Sequence, residues 1–424
     1  MQTFTDVACT VCGCVCDDLT LTFDGTQLVQ AERACALAAP WFAALSAAHP
    51  PVATVRGTET PLDAALAAAA ELLKKSSAPL VYGLSRSSTP GQRAAVHLTE
   101  SIGGVIDTTA SVCHGPSIVA IQSVGESTSS LGEVKQRADL VLFWGADPAV
   151  SHPRHFERYS AEPVSEFLPG GREDRTIIAI DIHPTATSAY ADRFVQVAPG
   201  RDFELIWALR LLLRDPKAEL VVDCGVPVEQ IRELAETLRS CRYGAVFFGL
   251  GLAQSELGHQ NVMALLRLVE DLNDHTRFVA RRLRIPGDVA GADSVLCWQT
   301  GFPFGVDLSR GSPRYNPGEF TANDLLERGD VDCCVIVGSE SIKDFSPSAR
   351  QRLDSIPTIL LNPPHIATDL VATVRFTTAV YWIHAAGTTY RMDEIPIPIR
   401  KLIDSPYPTD EAVLDQLRRR TTAS

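Results

Sequence analysis

The chain contains no run of about 18 apolar residues free of charge, so no membrane-spanning helix is expected. Its start, Met1-Gln2-Thr3-Phe4-Thr5-Asp6, lacks the basic-then-apolar pattern of an export signal. Lysine is scarce, with six among the 38 basic residues, and the formal net charge is −13. That balance argues against a nucleic-acid surface, which needs a basic face. No internal repeat or low-complexity segment is visible. A cytoplasmic globular protein is therefore expected. Its 45% hydrophobic and 21% charged residues are ordinary for that class. At 424 residues it exceeds one usual core, so two or three domains are expected.

Continuous apolar runs alternate with amphipathic stretches after about residue 60. Thr60-Pro61 reads as an N-cap and first-turn proline of an Ala-rich helix to about Lys75. Strands are expected at Pro79–Gly83, Gly104–Thr108, Asp139–Trp144, Thr176–Asp181, Ala245–Leu250, Asp332–Val337 and Thr358–Leu361. Helices are expected at about 90–102, from Pro116, and at 202–214, 228–240, 260–272 and 322–328. The apolar run Ala36–Ala48 reads as a buried helix, and Asp24-Gly25 as a hairpin turn. This alternation gives an α/β fold with parallel sheets covered on both faces. Several strands stop at Gly, Asp or Asn, where open α/β sheets bind ligands.

Eleven cysteines are present, four of them in the first sixteen residues. Without an export signal, such crowding favours a metal over disulfides. Cys9, Cys12, Cys16 and Cys35 form C-x2-C-x3-C-x18-C. Three near thiolates and a distant fourth can surround a [4Fe-4S] cube, each iron taking one. A four-cysteine zinc site and a metal-free thiol group are the competing readings; the missing second pair of a zinc ribbon favours iron. Cys14 would be a spectator, and Asp17-Asp18 a solvated turn or a tuning pair. Cys224, Cys241, Cys297, Cys333 and Cys334 read as small core residues.

Ser111-Val112-Cys113-His114-Gly115-Pro116 puts a thiol between a strand and a helix N-terminus, which favours the thiolate; a packed thiol beside a loop histidine is the plainer alternative. His152 and His155 lie at i, i+3 without an evident third ligand, so loop residues satisfying backbone is the plain reading. Arg281-Arg282-Leu283-Arg284 is a basic run in an acidic chain, read as a solvated face or an anion attractor. Gly251 reads equally as a turn glycine and as a close-approach position.

Taken together, Cys9–Cys35, Ser111–Gln122, Phe143–His155, Phe248–Gly251, Asp271–Asn273, Trp298–Pro303, Pro313–Gly318, Asn323–Leu326 and Gly387–Met392 resemble, in order, the B subunits of tungsten- or molybdenum-dependent formylmethanofuran dehydrogenases. The wider relatives are molybdopterin oxidoreductases such as formate dehydrogenase. The resemblance implies a small iron–sulfur domain (1–52), a discontinuous α/β domain (53–110 and 291–405) and a second, inserted one (111–290), both Rossmann-like. The pterin-binding barrel that usually follows would come from a separate subunit. It implies a tungsten- or molybdenum-bis-pterin guanine dinucleotide ligated by Cys113, with His114 and Arg284 beside the metal for proton transfer and stabilisation of formate or CO2. Gly145, Asp147, Arg154, Asp181 and Gly251 would line the pterin. Cys9, Cys12, Cys16 and Cys35 would carry the cluster. An oxidoreductase subunit is thus expected, in a complex with amidohydrolase-like A, C and barrel D subunits.

Four departures from the family pattern qualify that expectation. Asp181-Ile182-His183-Pro184-Thr185 stands where Asp-Pro-Arg-Lys-Thr is usual, losing two cations whose phosphate contacts are worth roughly 1–3 kcal/mol each. Ile285-Pro286-Gly287 replaces Gly-His-Tyr, Ala386 replaces a glutamate, and Ser341-Ile342-Lys343-Asp344 does not match the family loop. A bacterial formyltransferase/hydrolase complex carries a homologous B subunit without need of redox chemistry, and this chain is also compatible with that role.

Overall fold

The computed structural model describes residues 1–255 and 257–422. It is a mixed α/β structure with parallel and antiparallel sheets. The chain divides into two compact units, Met1–Val112 with Ile285–Ser424, and Cys113–Arg284.

In the Cys113–Arg284 unit, five parallel strands lie in the order Arg193–Gln196, Thr176–Asp181, Leu140–Trp144, Tyr243–Phe248, Arg277–Arg282. The chain starts in the middle, winds to one edge, then returns to build the other. The order therefore reverses between Leu140–Trp144 and Tyr243–Phe248, the place where open sheets part their loops. Alternation sends Leu142, Trp144, Val246 and Phe248 to one core with helices Asp202–Arg214, Val228–Ser240 and Gly258–Leu272. Phe143 and Phe247 point to the other face, where their rings stack at 5.6 Å. Tyr243–Phe248 replaces the expected Ala245–Leu250 strand. The Tyr243 amide donates to the Asp139 carboxylate, which pulls the start back, and Leu250 already opens a short helix.

The larger unit holds a nine-stranded sheet ordered Arg314–Tyr315, Val306–Asp307, Val105–Thr108, Pro79–Gly83, Cys333–Val337, Thr358–Asn362, Val374–Thr377, Ala53–Val55, Thr58–Glu59. Its five central strands are parallel and its flanks antiparallel. One face packs Leu66, Val96, Val295 and Leu414; the other packs Leu325, Ile342 and Leu353. The C-terminal helix Asp410–Thr422, which carries no strong signal in the sequence, supplies Val413, Leu414 and Leu417 to the first face. The N-terminal strands Gln2–Cys9, Cys16–Asp24 and Gln27–Glu32 form a separate antiparallel meander.

Three sequence expectations need correction. The Ala-rich helix runs Leu62–Lys75; Thr60 does not cap it, because its hydroxyl donates to the Thr58 carbonyl instead. The helix at Ala38–Ala47 buries only Ala38 and Phe42, so it is one-sided rather than buried. Cys297 is exposed on helix Val289–Thr300, unlike the buried Cys224, Cys333 and Cys334. No helix among the described residues is long and apolar enough to cross a membrane.

Candidate functional site

Cys113 lies in the turn before helix Gly115–Val124 and is half-buried. The neighbouring His114 is fully buried, with both ring nitrogens engaged. Nδ1 meets the Ser117 hydroxyl at 3.1 Å and Nε2 the Leu283 carbonyl at 3.0 Å. A carbonyl only accepts, so Nε2 carries the proton and Nδ1 accepts from Ser117. His152 repeats the arrangement one residue on. Its Nε2 donates to the Arg284 carbonyl at 3.0 Å while Nδ1 pairs with Ser151 Oγ at 2.9 Å. Two imidazoles thus grip two consecutive carbonyls just beyond the edge strand.

Burial pushes His114 well below the usual histidine range, and the Arg284 and Arg282 charges push it further, against the bond to Leu283. Burial likewise brings His152 to about 4 and lowers His155, the latter also through His152. All three are neutral bases at neutral pH. Arg281, Arg282 and Arg284 are at most 9% exposed, so the basic run is not a solvated face. Arg281 donates to Thr128 Oγ1 at 2.7 Å and Arg282 faces Glu126 at 3.7 Å. The strand's position under covering loops, invisible in a local pattern, buries them. His155, whose sequence context suggests a plain loop residue, is also fully buried. It packs against Phe247 (4.6 Å between centroids), Nδ1 bonds Ser160, and Nε2 has no hydrogen-bond partner.

The switch-point loops are tightly closed on each other. Gly145 has φ +54°, and a Cβ there would stand 2.7 Å from Leu252 N; one on Gly251 would stand 2.9 Å from Gly145 Cα. The glycines therefore admit one another's backbone. Asp147 Oδ1 accepts from Thr187 N (2.9 Å) and Thr187 Oγ1 (2.5 Å), and Arg154 Nε donates to Glu157 at 2.5 Å. Asp181 accepts from its own following amide, Ile182 N, at 2.7 Å.

The N-terminal cysteines share one end of the meander. Cys9 ends the first strand and stands opposite Cys16, which begins the second. Cys12 lies in the intervening loop, and Cys35 precedes helix Ala38–Ala47, accepting from Ala39 N at its carbonyl. Cys9, Cys12 and Cys16 are at most 7% exposed and Cys35 is half-buried. Burial raises the Cys9 thiol most, and nearby Cys12, Cys16 and Cys35 raise it further. Cys12 is lowered, first by a hydrogen bond from Cys14 and then, against burial, by Arg86. Among the described residues no group of three or more His, Cys, Asp or Glu side chains is placed to hold a metal ion. Asp17 and Asp18 lie in the strand Cys16–Asp24 rather than a turn, with Asp18 paired to Arg33 at 2.8 Å.

Over 414 residues, 95% of this chain and 94% of the relative, the sequence is 39% identical to the B subunit of tungsten-containing formylmethanofuran dehydrogenase 2 from Methanocaldococcus jannaschii. The chain belongs to the family of formylmethanofuran dehydrogenase B subunits. The corresponding protein of Methanococcus maripaludis is 36% identical over 96% of the chain and 95% of its own length. The B subunit of the formyltransferase/hydrolase complex of Methylorubrum extorquens is 26% identical over 68% of this chain and 74% of its own. No family model matches. In fold, the chain resembles a chain of that formyltransferase/hydrolase complex (TM-score 0.71, 23% identity, 87% of this chain, 98% of that one). It also resembles acetylene hydratase from Pelobacter acetylenicus (TM-score 0.70, 12% identity, 99% of this chain, 69% of that one).

Within this formylmethanofuran dehydrogenase-type chain, the departure at Ile182-His183 leaves both side chains exposed. The three arginines that could stand in for the lost cations have other work. Arg172 pairs with Asp192 at 2.6 Å, Arg175 donates to three backbone carbonyls, and Arg193 faces Glu233 at 3.6 Å. The donor set at Cys113 still suits a soft metal and an anionic cofactor: a half-buried sulfur at a helix start, and buried guanidiniums whose field His114 registers.

Proposed function

We propose that this chain is the B subunit of a tungsten- or molybdenum-dependent formylmethanofuran dehydrogenase that interconverts CO2 and formate for formyl-carrier metabolism. The observation that carries the reading is identity of 39% sustained over 95% of the chain, joined to a half-buried thiol next to His114, whose ring feels the buried Arg284 and Arg282 charges. In this reading Cys113 ligates the metal of a bis-pterin guanine dinucleotide, and Gly145, Asp147, Arg154, Asp181 and Gly251 line the pterin. When bound, that group supplies the two-electron chemistry at carbon. The chain's own residues prepare its surroundings. Arg284 would supply positive charge to stabilise formate, and the carbonyl grips by His114 and His152 fix the backbone that carries Arg284. His114 moves a proton only by releasing Ser117 or Leu283. Cys9, Cys12, Cys16 and Cys35 hold a [4Fe-4S] cluster that relays electrons, on an N-terminal domain preceding two Rossmann-like domains. The proposed partners are an amidohydrolase-like A subunit, a C subunit and a barrel D subunit, in the cytoplasm.

The exposed Ile182-His183 favours a second reading, a non-redox B subunit in a formyltransferase/hydrolase complex. Elemental analysis of the anaerobically purified native complex, with a Cys113→Ala companion, separates them. About one tungsten or molybdenum per B subunit in wild type, lost together with formate oxidation in Cys113→Ala, is the expected result. Iron without either metal, or formyl transfer indifferent to Cys113→Ala, would establish the second reading.

A further inference from the structure

Arg86 follows the strand Pro79–Gly83, and Glu340 lies in the short helix Ser339–Asp344 that follows the neighbouring strand Cys333–Val337. These two central strands are paired in parallel, with Gly83 beside Val337, so both loops leave the sheet at its carboxyl end. Arg86 bridges them. Its Nε donates to Glu340 Oε2 at 2.6 Å and Nη2 to Oε1 at 3.0 Å. The remaining Nη1 turns to the cysteine loop, donating to the Thr10 carbonyl at 2.6 Å and the Val11 carbonyl at 3.2 Å. Those are the two residues between Cys9 and Cys12. The guanidinium is a tenth exposed and its carboxylate partner under a third.

Only a planar fork can hold a carboxylate with one side and two consecutive carbonyls with the other. A surface pair would need no such third contact. The Arg86 charge is also an electrostatic neighbour of the Cys9 and Cys12 sulfurs. We propose that the Arg86–Glu340 pair is a positioning device for the cysteine loop, anchoring it to the carboxyl end of the sheet and setting the reduction potential of the group the loop carries. This rests on the four-cysteine [4Fe-4S] reading given above. A cluster that accepts one electron gains one negative charge. The nearby guanidinium stabilises that reduced state and the carboxylate opposes it, so the two partners act with opposite sign. Both also hold the loop, so loss of either loosens it.

The test uses the native complex, reduced stepwise with dithionite under mediators and followed by electron paramagnetic resonance. The signal missing from a Cys35→Ser complex identifies the cluster. If Cys35→Ser loses neither iron nor signal, the cluster reading itself fails, independently of Arg86. Arg86→Gln is expected to lower the midpoint by about 59 mV, a tenfold change in a one-electron equilibrium. Glu340→Gln is expected to raise it. Arg86→Lys keeps the charge and should stay near the wild-type potential, while surrendering iron to a chelator several-fold faster because an ammonium cannot hold both carbonyls and the carboxylate. Shifts of the same sign in Arg86→Gln and Glu340→Gln, or none, would overturn the proposal. Should Arg86→Gln fail to retain iron, the other two variants decide: a raised potential in Glu340→Gln with an unshifted Arg86→Lys supports it, and any other pair of results refutes it.

Discussion

Two clusters of buried titratable groups, one in each unit, are shifted in opposite directions by the same burial. In Cys113–Arg284 the interior holds His114, His152 and His155, all kept unprotonated by burial. In the larger unit it holds carboxyls: burial raises Asp107 to about 7 and Asp410 to about 6, and raises Asp288 as well. The chemistry they perform is complementary. Two of the histidines, His114 and His152, donate to carbonyls of one segment, Leu283 and Arg284. The carboxyls collect amide protons from several segments: Asp107 accepts from Thr108, Gly305 and Ala322, and Asp288 from Tyr390 N and Gln92. A base fixes one strand end; an acid gathers loops that are far apart in sequence. The local pH responses around Asp107 and around His152 should therefore run in opposite directions.

The largest effect belongs to Asp107. Its folded value is raised above that of the unfolded chain, so its stabilising contribution is complete at low pH and is lost as pH climbs through about 7. Across about three pH units, at about 1.4 kcal/mol each, this amounts to about 4 kcal/mol. Amide-exchange protection of the Val105–Thr108 strand should fall between about pH 4 and pH 7, and Asp107→Asn should remove that fall. Equal pH slopes in wild type and variant would break the contrast between the units at its strongest point.

His152 should answer with the opposite sign. Its folded value is depressed to about 4, so its contribution is present above the unfolded value of about 6.5 and lost as pH falls toward 4. That is about 3 kcal/mol over some 2.5 pH units. Protection of Arg277–Arg282 should decline with acid, and His152→Gln, which retains an N–H donor without the titration, should flatten the decline. A wild-type unit indifferent to acid down to about pH 4 would show that His152 is not held neutral.

Much of this frame was legible before any coordinates. Apolar runs such as Leu140–Trp144 and Cys333–Val337 can only be buried parallel strands, and the strand-to-helix placement of Cys113 follows from its flanking segments. The cysteine spacing predicted a shared loop, and Cys9 does face Cys16 across the meander. What could not be read was burial imposed from a distance. Arg281 and Arg282 look solvated in any local window, yet the strand's far face is covered by segments from Glu126 and Thr128. The Arg86–Glu340 pair joins residues 254 apart in sequence, and no periodicity announces it. Asp107 carries no signal of its own in the sequence, because its three amide donors include Gly305 and Ala322, supplied by segments far downstream. The glycine at 251 gave an ambiguous signal for a physical reason. A residue without Cβ is demanded equally by a ligand and by another backbone, and here Gly251 and Gly145 make room for each other.

The smallest effect tests a single cation within the histidine-bearing unit. Arg154 donates to Glu157 three residues on, at 2.5 Å, with the carboxylate side chain 48% exposed. Exposed pairs of this spacing contribute about 0.5 kcal/mol or less, since solvent screens the attraction and ordering two side chains costs entropy. Glu157→Gln should therefore shift the unit's unfolding by no more than that. It also removes a competing anion from Arg154 without touching the arginine itself. If Arg154 serves an anionic cofactor, as proposed, retention of the pterin through gel filtration should improve slightly in Glu157→Gln and fall in Arg154→Ala. If both variants retain the pterin as wild type does, Arg154 does not serve the cofactor, and the buried arginines at 281–284 are left as the cations for its anionic groups.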